Sequence, residues 1–375
     1  MRIAVITTSR ADYGIYESLL NQLANAADVD YGLLVGGTHL SEKYGYTIRE
    51  IESDGHPIWA KIQTVPNNDR PLDIANACGS SIKGYAEAYT QVGPLDYVVA
   101  LGDRYEMFGA VAATVPFNLK VVHLHGGETT AGAIDDKFRH AISVMASLHF
   151  TATEEYGRKV AKLTGGDSGV FVVGSIAMDS LHATPLLTVS EMREKFGIDF
   201  TKNTILVTLH PETVEYHKNA MYADVLCEAL EKLADRYQIV ITLPNADTAG
   251  NSIREIFFRV AERNKSMRLV ESFGKAGYFA AMHHSRLLIG NTSSGLLEAP
   301  SFGKYAINLG NRQAGRTRSA NVIDVAFDAD AIISAVAEIE KQKYQYTGEN
   351  VYVKFDNAGR QIMEALRAEY AFTNN

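Results

Sequence analysis

Short apolar runs recur along the chain, and between them lie longer stretches in which apolar residues fall every third or fourth position. Runs of that length predict strands covered on both faces, and the longer stretches predict helices, so the alternation reads as parallel βαβ units. In the first half the pattern predicts strands over Ile3–Thr7, Tyr31–Val35, Tyr97–Leu101, Val121–His123, Leu148–Ala152 and Val170–Val173. Helices are predicted over Tyr13–Asn25, Leu72–Thr90 and Asp136–Ala146. From Gly174 to Thr188 the chain carries Gly, Ser, Pro and Thr without a period, which marks a linker.

The pattern then restarts. Strands are predicted over Ile205–Leu209, Ile239–Leu243, Arg268–Glu271, Leu287–Ile289 and Ala306–Leu309, with helices over His217–Arg236 and Ile253–Asn264. A last helix, Asp356–Tyr370, is long enough to return across both halves. The expected fold is α/β, with two Rossmann-like, doubly wound domains facing across a cleft. Residues 1–176 form the first domain, joined by the terminal segment 356–375, and residues 177–355 form the second. Ligands of such sheets bind beyond the carboxyl ends of the strands.

Composition narrows the class. A length of 375 residues suits two domains, and 36 Lys+Arg against 44 Asp+Glu leave a net charge of −8. No block of like charge suggests a nucleic-acid arm, so an anionic ligand must be met by arginines gathered locally. Two cysteines, Cys78 and Cys227, make no disulfide framework and fit a reducing compartment. The start reads as a strand without a leader, and the stretch MFGAVAATVPF falls far short of the roughly 18 apolar residues that span a bilayer. A cytoplasmic protein acting on neither membrane nor nucleic acid is expected.

The segments after the strands carry the chemistry. Thr8, Ser9 and Arg10 precede a helix and suit a phosphate, although Ser9 or Asp12 equally suits ordinary capping. No GxGxxG follows this strand, and a Walker A sequence is absent, which disfavours a dinucleotide or a P-loop. Asp103 and Arg104 set an acid beside a base at the next strand end. In His123-Leu124-His125-Gly126-Gly127-Glu128, strand alternation puts both histidines on one face. A metal held with Glu128 is the lesser reading, and close approach of glycine backbone to a ligand the better one. Asp135, Asp136 and Arg139 open a helix, where the bland reading is capping plus a pair between Asp136 and His140.

In the second half, His210 and Asn245 each follow a strand. The Gly290–Gly295 turn leads into a helix over Leu296–Ser301 and offers Ser293, Ser294 and backbone N–H groups to a diphosphate, with Glu298 placed for ribose hydroxyls. Arg312, Arg316 and Arg318 share one loop and point to an anion. His283 and His284 read as structural.

Eight segments in order, TTSRADYG, LGDRYE, HLHGGE, GAIDDKFRH, LHPET, LPNAD, GNTSSGLLEAPSFGK and INLGNRQAGR, resemble the hydrolysing UDP-N-acetylglucosamine 2-epimerases of bacterial sialic-acid-type biosynthesis. The resemblance runs to the final helix. It implies a glycosyltransferase-B-like fold, a homodimer or larger assembly, and conversion of UDP-GlcNAc and water to UDP and N-acetylmannosamine. UDP would be held by His210, Asn245, Ser293, Ser294, Glu298 and Arg312, with Arg10 and Arg104 reaching from the first domain. Catalytic work would fall to Asp103, Glu128, Asp135, Asp136 and Arg139, with His210 again available. Some relatives carry glutamate where this chain has His125, so His125 or Glu128 is expected to take that role. The glycine pair matches the hydrolysing type, since non-hydrolysing relatives typically read Glu-Ala-Gly there.

The chemistry asks for such an inventory. The C2 hydrogen of the sugar is not acidic, so it leaves only as UDP departs from C1 through an oxocarbenium-like transition state. That needs a base, cations on the diphosphate, and a second acid/base group to protonate C2 of the 2-acetamidoglucal from the other face. No metal, nicotinamide or flavin is required. Three other readings compete: the same reaction on UDP-2,4-diacetamido-2,4,6-trideoxyglucose (UDP-diacetylbacillosamine), a glycosyltransferase of the same fold, and a nucleotide-sugar sensor.

Overall fold

A computed structural model describes residues 1–66, 70–129, 135–212, 216–244 and 251–374. They divide into two compact units, one made by residues 1–129, 135–180 and 352–374 and the other by the described residues of 181–351.

The first unit is built on β1 (Arg2–Thr7), β2 (Asp30–Gly36), β3 (Ile58–Ile62), β4 (Tyr97–Leu101), β5 (Val121–Leu124), β6 (Leu148–Thr151) and β7 (Val170–Val172). They form one parallel sheet in the order β3-β2-β1-β4-β5-β6-β7. Alternate side chains of β1 enter opposite cores: Ile3 and Val5 pack with Tyr16, Leu19 and Leu23, and Ala4 and Ile6 with Tyr85 and Tyr89. Helices therefore cover both faces, and each fully buried Ile or Leu contributes about 1.5–3 kcal/mol. Helix Arg10–Ala24 turns one stripe inward through Tyr16, Leu19, Leu20 and Leu23, the 3.6-residue period of an amphipathic helix.

The terminal helix, Ala358–Asn374, adds Ala358, Ile362, Met363 and Leu366 to the same core as helix Arg10–Ala24. Its first N–H groups donate to Asp179, Ala358 N at 2.8 Å and Gly359 N at 2.9 Å, and Ser18 Oγ donates to the same carboxylate at 2.6 Å. A carboxylate distant in sequence thus caps the helix.

The second unit holds β8 (Thr204–Thr208), β9 (Gln238–Thr242), β10 (Met267–Val270), β11 (Leu287–Gly290), β12 (Ala306–Leu309) and β13 (Val322–Val325). These are again all parallel, in the order β10-β9-β8-β11-β12-β13. The doubly wound class is as the sequence predicts, and so are most elements.

Two strands do not appear in the sequence reading. β3 and β13 are edge strands, half-buried and interrupted by Lys61 and Asp324, so they lack the continuous apolar run of a strand covered on both faces. The predicted helix His217–Arg236 begins as a 3₁₀ turn, Tyr216–Lys218, before Asn219–Leu233. The predicted helix Leu296–Ser301 is instead a short helix, Ser294–Leu297, followed by a 3₁₀ turn, Ala299–Phe302, because Pro300 has no N–H to continue the ladder.

Candidate active site

Each sheet reverses its winding once. In the first unit the chain runs outward from β1 through β2 and β3, then returns to place β4 on the other side of β1. In the second it runs from β8 through β9 and β10 and returns to place β11 beside β8. Such switch points leave a crevice beyond the strand ends. The candidate residues gather at these two places.

After β1, Asp12 is buried and accepts from Thr8 N at 3.1 Å, Thr8 Oγ1 at 2.8 Å and Ser9 Oγ at 3.1 Å. Thr7 Oγ1 also donates to it, while lying 2.9 Å from His39 Nε2. The Thr8–Ser9 turn is thereby rigid. Arg10 is largely exposed and pairs with Glu50 at 3.2 Å. Arg104 forks onto Glu106, at 2.7 Å and 3.1 Å, and Glu106 is fully buried. Glu106, which sequence reasoning passed over, fixes that guanidinium as a bidentate pair.

Four of the predicted catalytic residues meet at the ends of β4 and β5. Arg139, buried in helix Asp135–Met145, pairs with Asp103, donates to the His125 carbonyl at 3.0 Å and lies 3.5 Å from Glu128 Oε2. His125 Nδ1 is 2.6 Å from Glu128 Oε1, and its Nε2 is buried without a hydrogen-bond partner among the described residues. Asp135 has its pKa pushed above the ordinary carboxylate range, first by burial and then by the Asp103 charge. Asp136 stands beside it in the first turn and contributes to the field at Arg139. The charged groups of two loops and one helix share one small volume.

The paired-histidine reading is corrected here. β5 ends at Leu124, and His125 takes a left-handed conformation with φ of 61°, so the two rings do not share a strand face. His123 is fully buried, with Nδ1 3.0 Å from Ser143 Oγ and Nε2 2.9 Å from the Gly102 carbonyl oxygen. Both its nitrogens are engaged in holding the β4 and β5 ends, and burial lowers its pKa to about 3. Among the described residues, no group of three or more His, Cys, Asp or Glu is arranged to hold a metal. Gly127 has φ of 78°, and a Cβ there would run into the Tyr156 carbonyl oxygen. The glycine pair is thus needed to seat the loop against the protein itself.

In the second unit the organising residue is Asn291, fully buried at the end of β11. Its Oδ1 accepts from His210 N at 2.7 Å and its Nδ2 donates to His210 O at 2.8 Å. Its own carbonyl accepts from Arg312 Nη1 at 3.1 Å and Gln313 Nε2 at 2.9 Å. One asparagine therefore joins the loops after β8, β11 and β12, which carry His210, Ser293, Ser294 and Arg312. The cationic form of Arg312 is disfavoured first by burial and then by Arg316, with Glu212 offsetting. Glu298 lies where the short helix passes into the 3₁₀ turn. Burial raises its pKa, and its Oε2 has no partner among the described residues. Asn245 lies outside the described residues. Asn291 and Gln313 were passed over because nothing in their local pattern separates a buried clasp from an ordinary loop amide.

The family model for UDP-N-acetylglucosamine 2-epimerase matches residues 21–367. The chain belongs to that family. It is 33% identical over 347 residues to the UDP-N,N'-diacetylbacillosamine 2-epimerase (hydrolyzing) of Legionella pneumophila, covering 92% of this chain and 91% of that one. To the polysialic acid biosynthesis protein P7 of Escherichia coli it is 32% identical over 374 residues, covering 98% and 95%. Its fold matches the crystal structure of UDP-GlcNAc 2-epimerase from Neisseria meningitidis bound to UDP-GlcNAc with a TM-score of 0.80, at 18% identity and over 98% and 100% of the two chains. The two doubly wound units are thus the glycosyltransferase-B-like pair common to UDP-sugar 2-epimerases. No helix among the described residues is long and apolar enough to cross a membrane.

Proposed function

We propose that this member of the family is a hydrolysing 2-epimerase that converts UDP-GlcNAc and water to UDP and N-acetylmannosamine. The observation that carries the reading is the cluster of Asp103, His125, Glu128 and Arg139 with Asp135 beside it, because neither sugar transfer nor ligand sensing needs so many proton-carrying groups around one arginine.

Asp135, made more basic by burial and by Asp103, removes the C2 proton. The C2–H electrons form the C1=C2 bond as the C1–O bond breaks and UDP leaves with the electron pair. Ser293, Ser294 and Arg312 receive the leaving diphosphate, and Glu298 takes the ribose hydroxyls. The His125–Glu128 couple then delivers a proton to C2 from the opposite face, using the C1=C2 electron pair, while water bonds to C1 and gives its own proton back to the couple. Asp135 releases the proton it took to solvent, and the product has the manno configuration. Arg139 holds Asp103 and the β5 loop in register and tempers the mutual repulsion of the carboxylates. The loops after β8, β11 and β12 thus handle the nucleotide, and those after β4 and β5 the C1–C2 chemistry.

The name of the Legionella relative favours a second reading, the same reaction on UDP-diacetylbacillosamine. A 4-acetamido and a 6-methyl group need room and apolar walls where a 4-hydroxyl needs a polar partner. A proton NMR time course in D2O tests both. UDP release with N-acetylmannosamine deuterated at C2 is the expected result from UDP-GlcNAc. Turnover of UDP-diacetylbacillosamine alone moves the protein to the second reading, and inertness toward both returns it to a transferase or a sensor.

A further inference from the structure

At the opposite end of the second sheet from these loops, a cavity of about 220 Å³ lies among Arg286, Phe302, Gly303, Lys304, Lys343, Tyr344 and Gln345. Three chain segments converge on it. Arg286 immediately precedes β11, Lys304 stands two residues before β12, and Lys343 and Tyr344 follow helix Ala329–Lys341. Arg286 and Lys343 are exposed and Lys304 is half-buried. Among the described residues none of Arg286, Lys304 and Lys343 forms a salt bridge, and no acidic side chain lines the cavity.

Arg286 is held in place by neutral contacts, Nε donating to Asn203 Oδ1 at 2.9 Å and the guanidinium lying 5.7 Å from the Tyr344 ring centre. Lys304 is half-buried with Arg286 as its charged neighbour, and burial followed by Arg286 lowers its pKa. Lys343 and Tyr344 both adopt left-handed backbone conformations, with φ of 53° and 60°, an uncommon choice for bulky residues. The carbonyl of Gly303 accepts from Tyr346 N at 2.9 Å, which ties this turn to the segment bearing Lys304. A turn in a costly conformation thus brings a third cation to two that already repel one another.

We propose that this cavity is an anion-binding site that takes the phosphoryl group of a small molecule, with Arg286, Lys304 and Lys343 as its ligands and Phe302 and Tyr344 as walls for the rest of the molecule. A phosphate dianion offsets two of the three positive charges gathered here, and the guanidinium offers paired N–H donors to two of its oxygens. The site is separate from the nucleotide loops. Asn291 and Arg312 follow the carboxyl ends of β11 and β12, whereas Arg286 and Lys304 stand before their amino ends.

Calorimetric titration of the full chain with inorganic phosphate and with phenyl phosphate tests the proposal. Binding to this cavity predicts that Lys304→Gln and Lys343→Gln each weaken the phosphate at least tenfold, and that Arg312→Ala leaves it unchanged. Tighter binding of phenyl phosphate than of phosphate identifies a phosphomonoester as the ligand class, and equal binding identifies the free anion. Turnover of UDP-GlcNAc is expected to stay within twofold in the pocket variants. Should Lys304→Gln fail to fold, Arg286→Gln replaces it, since that side chain is exposed. Loss of phosphate binding in Arg312→Ala with retention in the pocket variants, or the absence of binding by the wild-type chain, overturns the proposal.

Discussion

Asn291 and His210 are joined through both main-chain groups of the histidine, the amide N–H at 2.7 Å and the carbonyl at 2.8 Å. The contact spans 81 residues of sequence and closes the gap between the ends of β8 and β11. It imitates one more rung of the sheet past the point where the strands diverge. The His210 ring is thereby aimed by a residue it does not adjoin in sequence.

Replacing Asn291 by alanine removes partners for two main-chain groups in a buried place and empties the space between three loops. A loss of about 2–4 kcal/mol of stability is expected for two orphaned groups. Turnover should fall further than the folded fraction does, because His210 loses its reference point, whereas Arg312 keeps the main-chain carbonyl of residue 291. Urea unfolding and steady-state kinetics on the same preparation separate the two effects; an Asn291→Ala protein with native KM and kcat contradicts the clasp.

Arg139 meets Asp103, the His125 carbonyl and Glu128 at once. Lysine keeps the charge but not the planar fork, so Arg139→Lys should retain the fold and lose about a hundredfold or more in kcat. Asp103→Asn and Asp135→Asn are expected to lose at least as much, measured as UDP released. Near-native turnover in both aspartate variants removes them from the mechanism.

Gly127 sets the course of the β5 loop. A Gly127→Ala substitution meets both a positive φ and the Tyr156 carbonyl, which cannot retreat without moving its helix. The expected cost is about 1–3 kcal/mol, with the His125–Glu128 couple displaced. Gly55→Ala is the control: its φ of 77° carries the same backbone cost, but nothing stands within 4 Å of the added Cβ. Thermal melting should place the Gly127 variant clearly below it, and equal melting points would remove the carbonyl clash from the account.

Acid sensitivity follows from His123. Its pKa is about 3 in the folded chain against an ordinary value of 6.5, so below pH 6.5 the unfolded chain takes up a proton that the folded chain refuses. Its contribution is fully present above pH 6.5 and is lost as pH falls toward 3, amounting to about 2 kcal/mol by pH 5. His149, lowered to about 4 by burial, acts in the same direction. The urea midpoint should therefore drop between pH 7.5 and pH 5, and a His123→Asn variant should show a flatter dependence. An equal slope in that variant assigns the acid loss elsewhere.

Much of this site is legible in the chain because strand ends and loops announce themselves together. The runs before Asp103, His125, His210 and Asn291 are apolar enough to read as buried parallel strands, and ligand sites in such sheets lie just past them. The edge strands β3 and β13 escape because one polar residue in a short, half-covered strand erases the run on which the reading depends. His125 and Gly127 leave the strand through positive φ, and strand alternation cannot foresee a turn whose reason is the Tyr156 carbonyl.

The sequence by itself determined the two doubly wound units, the family, and the supply of carboxylates and arginines at the strand ends, since those follow from local periodicity and from residue type. The tertiary structure alone decided which of them meet. Whether His123 stands in the site or behind it, whether Arg104 is free or forked onto Glu106, and that Asn291 holds His210 are matters of contact between residues distant along the chain. Burial and hydrogen-bond geometry act through space, and a local pattern carries no record of them.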